Sequence, residues 1–127
     1  MNKHPAGFWR GRIRGSKFAA KGAWMLIRTE PSIQVQVGLA VIVTMMGVYF
    51  DISKTEWLAQ LLAIGLVMSV EGMNTAVEAM ADFIHPEYHP KIGAIKDVAA
   101  GAVFIAAIIA TIIGFYIYIP YILMEFV

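Results

Sequence analysis

The sequence predicts an all-α membrane protein, an N-terminal amphipathic surface helix followed by three transmembrane helices. Three observations predict it. Apolar residues make up 59% of the chain and gather into three long runs. Basic residues crowd into the first thirty positions. Carboxylates stand inside the second apolar run, on one stripe of the helix it would form. With 127 residues the chain is read as a single domain, 1–127. It has no cysteine, which removes disulfides, thiolate metal sites and thiol redox chemistry from consideration.

The surface helix is predicted over residues 8–30. At 100° per residue Arg10, Arg14, Lys17, Lys21 and Arg28 fall on one stripe, and Phe8, Ala19, Ala23 and Leu26 fall opposite. A basic amphipathic segment of this kind suits an anionic membrane interface, and the plainer reading is that it only anchors the chain. Pro31 disfavours helical dihedrals at Glu30, so the helix is expected to end there in a bend. No apolar core followed by a small-residue cleavage site stands near the N-terminus, so insertion is expected to use the three spans themselves.

The first span is predicted over 33–50, interrupted at its start by Gln34 and Gln36. At 1.5 Å per residue it covers about 27 Å, enough for the hydrocarbon core. A polar loop, 51–56, follows, in which Ser53 is positioned to cap the next helix with Glu56 three residues on. The second span, 57–83, has an uncharged first half and a polar second half. Residues 84–96, with two prolines and two histidines, read as a loop and a re-entry turn. The third span is placed at 98–119, with Pro120 marking its far end.

Lysine and arginine give the orientation. Seven stand ahead of the first span, Lys3 among them, and Lys91 and Lys96 stand in the second loop. The first loop has Lys54 beside Asp51 and Glu56. The positive-inside rule therefore puts the N-terminus and the second loop in the cytoplasm.

The second span carries the chemistry. Glu71, Asn74, Thr75, Glu78 and Asp82 share one stripe among Leu, Val, Met and Ala. A carboxylate at the centre of a membrane helix costs on the order of 3 kcal/mol on insertion scales, so such residues mark a metal, proton or substrate site. Glu71 lies about 11 Å deeper than Glu78. The topology brings Glu30, Glu78, Glu87, His89, Lys96 and Asp97 to one membrane face above Glu71 and Asn74. Carboxylates and an amide suit Mg²⁺, which prefers oxygen and shares its shell with phosphates, and Lys96 offers a point charge for a phosphate oxygen. Taken alone, the segment from His85 to Pro90 reads as a turn with solvated side chains, and metal binding by His85 and His89 is allowed by their spacing.

The run Glu71-Gly-Met-Asn-Thr-Ala-Val-Glu78, followed by Glu87-Tyr-His89 and Lys96-Asp-Val-Ala-Ala-Gly-Ala-Val103, resembles the small prokaryotic diacylglycerol kinases and undecaprenol kinases. The resemblance covers about residues 7 to 119. It implies a homotrimer with composite sites between subunits, in a bacterial plasma membrane, and transfer of the ATP γ-phosphoryl group to a lipid alcohol on the cytoplasmic face. Diacylglycerol and undecaprenol are the two acceptors it allows, with Mg²⁺ as cofactor and no nucleic-acid partner. By position, Glu71 looks like the catalytic base and a lipid contact, Asn74 a residue orienting the reacting groups, and Ala100 a second lipid contact. Glu30 and Glu78 look like metal ligands that also touch ATP. Glu87, Tyr88, His89, Lys96 and Asp97 look like the rest of the nucleotide site, with Arg10 or Arg12 on the phosphates. Two departures stand out. Many relatives place an aromatic residue and then an arginine after the equivalent of Glu30, where this chain has Pro31-Ser-Ile-Gln34; and an aromatic hydroxyl of some relatives aligns near Phe18.

The residues support the same chemistry without the family. A lipid hydroxyl needs a carboxylate to take its proton, and phosphoryl transfer otherwise asks for positioning and charge neutralisation. No phosphate-binding glycine loop or protein-kinase catalytic loop is present, so helix faces would have to build the nucleotide site. Two other functions compete. A proton- or cation-coupled transporter could use Glu71, but the apolar outer halves of the spans offer no continuous path. A structural subunit would need no more than Asn74 and Thr75 for helix association, which leaves the two glutamates without a purpose.

Overall fold

A computed structural model gives the structure and describes residues 5–127. Lys3, counted above among the N-terminal cations, lies outside the described residues. Four helices follow one another: α1 Pro5–Thr29, α2 Pro31–Tyr49, α3 Lys54–Ile84 and α4 Pro90–Glu125. No strand occurs among the described residues. Helices α2, α3 and α4 are each long and apolar enough to cross a membrane.

The bend between α1 and α2 follows from one proline. Pro31 occupies the first turn of α2, where its missing N–H costs nothing, and it holds Glu30 in extended dihedrals of φ −98° and ψ 111°. Gln34 closes the bend by donating from Nε2 to the Arg28 carbonyl at 3.0 Å, satisfying one of the unpaired carbonyls at the end of α1. Just ahead of the bend the last turns of α1 touch the bundle, where Leu26 seats on Gly72 of α3.

The α2–α3 turn is a Schellman motif. Asp51 N–H bonds the Val48 carbonyl at 3.3 Å and Ile52 N–H bonds the Gly47 carbonyl at 3.1 Å. Asp51 takes the left-handed conformation, φ 50°, that this motif requires at its turning residue. Aspartate tolerates that region better than most side chains, though less well than glycine. The expected capping box is present: Glu56 N–H donates to Ser53 Oγ, and Ser53 N–H donates back to Glu56 Oε2 at 2.8 Å.

Helix α4 starts at Pro90 and runs to Glu125, so it extends past the apolar stretch at both ends. The loop before it is shorter than the expected 84–96 and covers only residues 85–89. The reason is that Pro90 begins a helix rather than breaking one. It sits at the first helical position, and His89 Nδ1 accepts from Lys91 N–H at 3.1 Å as the cap. Pro120 does not end α4 either; it lies inside the helix, near the end, where one lost N–H is tolerated.

Two ties set the register of α3 against α4. Lys96 meets Asp82 near one end and Tyr118 meets Gln60 near the other, with the same twenty-two-residue interval on both helices. The pair is therefore antiparallel and in step throughout. The main apolar core lies at the α2–α3 turn, where Ile52, Ile117 and Tyr118 pack with Val43, Met46, Phe50, Trp57, Ile113 and Tyr121. Gln60 and Tyr118, each 5% exposed, are held there by mutual bonding. Tyr118 Oη donates to Gln60 Oε1 or to the Val43 carbonyl, 2.5 and 2.7 Å away, and Gln60 Nε2 donates to the same carbonyl at 3.3 Å. These residues correct the expectation of wholly apolar outer halves.

Candidate active site

The opposite end of the bundle gathers the start of α2, the end of α3 and the start of α4. Glu71 sits in α3 facing its neighbours and is 9% exposed. Its Oε2 accepts from Gln36 Nε2 of α2 at 3.4 Å, and its backbone carbonyl accepts from Thr75 Oγ1 at 3.2 Å. In the sequence Gln36 reads only as an interruption at the start of an apolar span. The signal is in the sequence, because an amide inside a membrane span needs a partner and α3 carries the long polar stripe.

The Gln36–Glu71 contact also fixes depth. Glu30 precedes Gln36 by six residues, about 9 Å of helix rise, and so comes level with residues 77–78 on the antiparallel α3. Glu30 and Glu78 are thus brought to one level. The Glu30 side chain makes no capping bond although it stands at the N-terminus of α2. The α3–α4 register does the same for Ala100, which comes level with Glu78 from the other side.

Asn74 makes no hydrogen bond to the Glu71 carboxylate. Its Nδ2 donates to Glu78 Oε1 at 3.1 Å, one turn along the same helix. Asn74 Oδ1 is buried with no hydrogen-bond partner, and so is Gln36 Oε1. Lys96 Nζ pairs with Asp82 Oδ1 at 2.5 Å, both partly exposed. Asp82 belongs to the polar stripe read from the sequence but has no role assigned to it there. It lies on the Glu71 stripe one turn beyond Glu78, which is the signal that marks it. Asp97 is exposed at the start of α4.

The loop residues form a turn of their own. The Glu87 carbonyl accepts from His85 Nδ1 at 2.9 Å, and the His85 and His89 rings lie 5.3 Å apart. Tyr88 projects outward, 90% exposed. Arg10 and Arg12 stand apart from all of these. They precede Leu26, which touches α3, by sixteen and fourteen residues, or about 24 and 21 Å along α1. Arg12 stacks its guanidinium on Phe8, 5.2 Å from the ring centre. Within one chain neither arginine is brought to Glu71.

No three His, Asp or Glu side chains converge as a ready-made metal cage among the described residues. The donor set nevertheless fits magnesium carried with phosphates, which takes one or two carboxylates and leaves its other positions to water and phosphate oxygens. Glu78 supplies a carboxylate, Asn74 Oδ1 an orphaned hard oxygen beside it, and Glu30 a second carboxylate at the same level.

A membrane-spanning helical bundle with a buried carboxylate under a polar mouth defines the class. The comparisons give the family. Residues 17–118 match the model of the prokaryotic diacylglycerol kinase family. An undecaprenol kinase of Bacillus subtilis is 40% identical over 102 residues, 80% of this chain and 83% of its own. A diacylglycerol kinase of Escherichia coli K12 is 34% identical over 115 residues, 88% and 91% of the two chains. One from Haemophilus influenzae is 30% identical over 101 residues, 80% and 86%. The chain belongs to the prokaryotic diacylglycerol kinase family, a family of membrane lipid kinases.

Proposed function

We propose that the protein transfers the γ-phosphoryl group of ATP to the hydroxyl of a membrane lipid alcohol, diacylglycerol or undecaprenol, with Glu71 as the base. The observation that carries the reading is Glu71 itself. It is a carboxylate buried in an apolar helix, below a mouth that carries Glu30, Glu78 and Lys96, in a chain of this family.

The acceptor hydroxyl enters from the bilayer and donates to a Glu71 carboxylate oxygen. Its oxygen forms a bond to the γ-phosphorus as the bond from that phosphorus to the β-γ bridging oxygen breaks. ADP leaves and the proton stays on Glu71 until solvent takes it. Asn74 holds the Glu78 carboxylate, and Asp82 holds the Lys96 ammonium where a phosphate oxygen can reach it. Magnesium bound with the nucleotide would be held by Glu30 and Glu78 and would neutralise phosphate charge. Glu87, Tyr88, His89 and Asp97 complete the nucleotide contacts, and Ala100 leaves space beside Glu78 for the lipid.

Arg10 and Arg12 reach a phosphate only in the site of a neighbouring copy, because their own chain holds them more than about 20 Å away along α1. That distance supports sites shared between subunits, and the family resemblance implies that the assembly is a homotrimer. The excess of basic residues near α1 and the second loop supports a cytoplasmic mouth. The two kinds of relative differ in their printed acceptors, and the 40% identity to an undecaprenol kinase favours the polyprenol.

A transporter is disfavoured by the route. About 16 Å of helix separates Glu71 from Gln60, lined by Leu61 to Val70 with Ser69 as its one polar side chain. Gln60 and Tyr118 beyond it are bonded to each other. The test is transfer of label from γ-labelled ATP in mixed micelles with Mg²⁺, offering diacylglycerol, undecaprenol and ceramide in parallel. Labelled diacylglycerol or undecaprenol is expected, and none from folded oligomeric Glu71→Gln. No labelled lipid from the wild-type protein, or full turnover by Glu71→Gln, overturns the reading.

A further inference from the structure

Two glutamines tie helices of this chain together, Gln60 buried and Gln36 half-buried, and they are treated differently. Gln60 has both ends of its amide bonded, Nε2 to the Val43 carbonyl and Oε1 to Tyr118. Gln36 has one end bonded, Nε2 to Glu71, while its Oε1 is buried without a donor. Turning the Gln36 amide over would set its oxygen against the Glu71 carboxylate, so Glu71 dictates the orientation and leaves Oε1 orphaned. A glutamine kept only to tie two helices would be satisfied at both ends, as Gln60 is.

We propose that Gln36 is a positioning residue that aims the Glu71 carboxylate; the assignment rests on the lipid-kinase reading. Among the described residues Gln36 is the one hydrogen-bond partner of that carboxylate, since Thr75 bonds only the backbone carbonyl of Glu71. The bond occupies Oε2, which leaves Oε1 of Glu71 to receive the acceptor's proton. Glu71 ends in three rotatable side-chain bonds. Its polar neighbours on α3 do not hold its carboxylate, since Asn74 bonds Glu78 and Thr75 bonds the backbone carbonyl. An unheld carboxylate would sample several rotamers. A second tie from α2 selects one. At 3.4 Å the bond is long, as catalytic hydrogen bonds often are before reactants bind. Gln36 Oε1 is thus one of two side-chain oxygens left buried without a donor among the described residues, with Asn74 Oδ1 the other.

The test uses the full-length protein in mixed micelles, measuring kcat, KM for Mg·ATP and oligomer size. Gln36→Met keeps length and removes the donor. Its kcat is expected to fall about 10- to 100-fold, the worth of a hydrogen bond to a charged group, with KM for Mg·ATP within about twofold of wild type. Gln36→His restores an N–H donor of similar reach and is expected to recover at least half of that loss on a logarithmic scale. Gln36→Asn keeps the amide but falls short of Glu71; it should behave as Gln36→Met does and replaces it should that variant not assemble. A kcat loss below about tenfold, an equal change in KM, or no recovery with histidine overturns the assignment. Wild-type protein that labels no lipid overturns the lipid-kinase reading instead, so the two failures are distinct.

Discussion

Gly47→Ala tests how tightly the far end of the bundle is closed. A Cβ at position 47 would stand 2.7 and 2.9 Å from Cη2 and Cζ2 of Trp57 and 3.1 Å from Cδ1 of Ile52. Carbon atoms prefer separations of about 3.5–4.0 Å, so the indole would have to retreat by close to 1 Å. It has little freedom to do so. Trp57 is packed in the core with Ile52, Phe50 and Tyr121, and an indole is rigid where a leucine tip would bend. Overpacking of this kind costs about 1–3 kcal/mol. The position also supplies the carbonyl that the Ile52 N–H bonds in the Schellman turn, so relief by moving α2 would stretch that bond. Reversible unfolding in mixed micelles, followed by far-ultraviolet circular dichroism, measures the cost. Trp57→Leu is the second arm of a double-mutant cycle, because it removes the clashing ring. The two changes together should be less destabilising than their sum by at least about 1 kcal/mol. An alanine variant as stable as wild type, or strict additivity with Trp57→Leu, would refute the packing argument.

Asp51→Gly is expected to stabilise the fold by about 0.5–1 kcal/mol in the same unfolding assay, since φ 50° carries no penalty for glycine. Tyr118→Phe should destabilise by about 1–2 kcal/mol, as Gln60 Oε1 loses its donor, and added Gln60→Leu should recover part of the loss by removing that stranded acceptor. Glu78→Gln is expected to raise the Mg²⁺ concentration for half-maximal phosphorylation at least about tenfold, since the metal loses a charged ligand; an unchanged metal titration removes Glu78 from that role. Asp82→Asn should raise KM for ATP by no more than about fivefold, because a partly exposed ion pair is worth at most about 1 kcal/mol in placing Lys96.

Much of this architecture was legible because its signals are local. Pro31 dictates the bend at Glu30 from its ring alone, and Ser53 and Glu56 write a capping box into four consecutive residues. The same rules also mislead at proline. Pro90 looks like a breaker and is a starter, because what matters is whether its position needs an N–H, and the first turn of a helix does not. Pro120 is the converse case, an interior proline near the end of a long helix, with few turns left to disturb. Pairings between helices were less legible. Gln36 with Glu71 and Asp82 with Lys96 depend on the registers of α2 and α4 against α3, and periodicity within one helix carries no register. The same limit holds for Arg10 and Arg12, whose basic stripe reads clearly while their distance from Glu71 emerges only once Leu26 is seen on Gly72.

The placement of polar groups separates the two ends of the bundle by purpose. At the far end the polar side chains are closed on one another: buried Gln60 with buried Tyr118 and the Val43 carbonyl, and half-buried Tyr121 with half-buried Glu56. Those bonds cross from α3 to α2 and α4 and hold three helices together where the core is densest. At the other end two buried amide oxygens are left without donors beside a buried carboxylate, and Glu30 makes no capping bond at the head of its own helix. An unsatisfied buried acceptor costs about 1–3 kcal/mol, so leaving two of them at one end of the bundle is a stability loss that folding alone does not explain. Proteins depart from local consistency in this way at functional sites. The far end keeps the helices in register, and that register brings Glu30, Glu71 and Glu78 to the depths at which a nucleotide from water and a hydroxyl from the bilayer can meet.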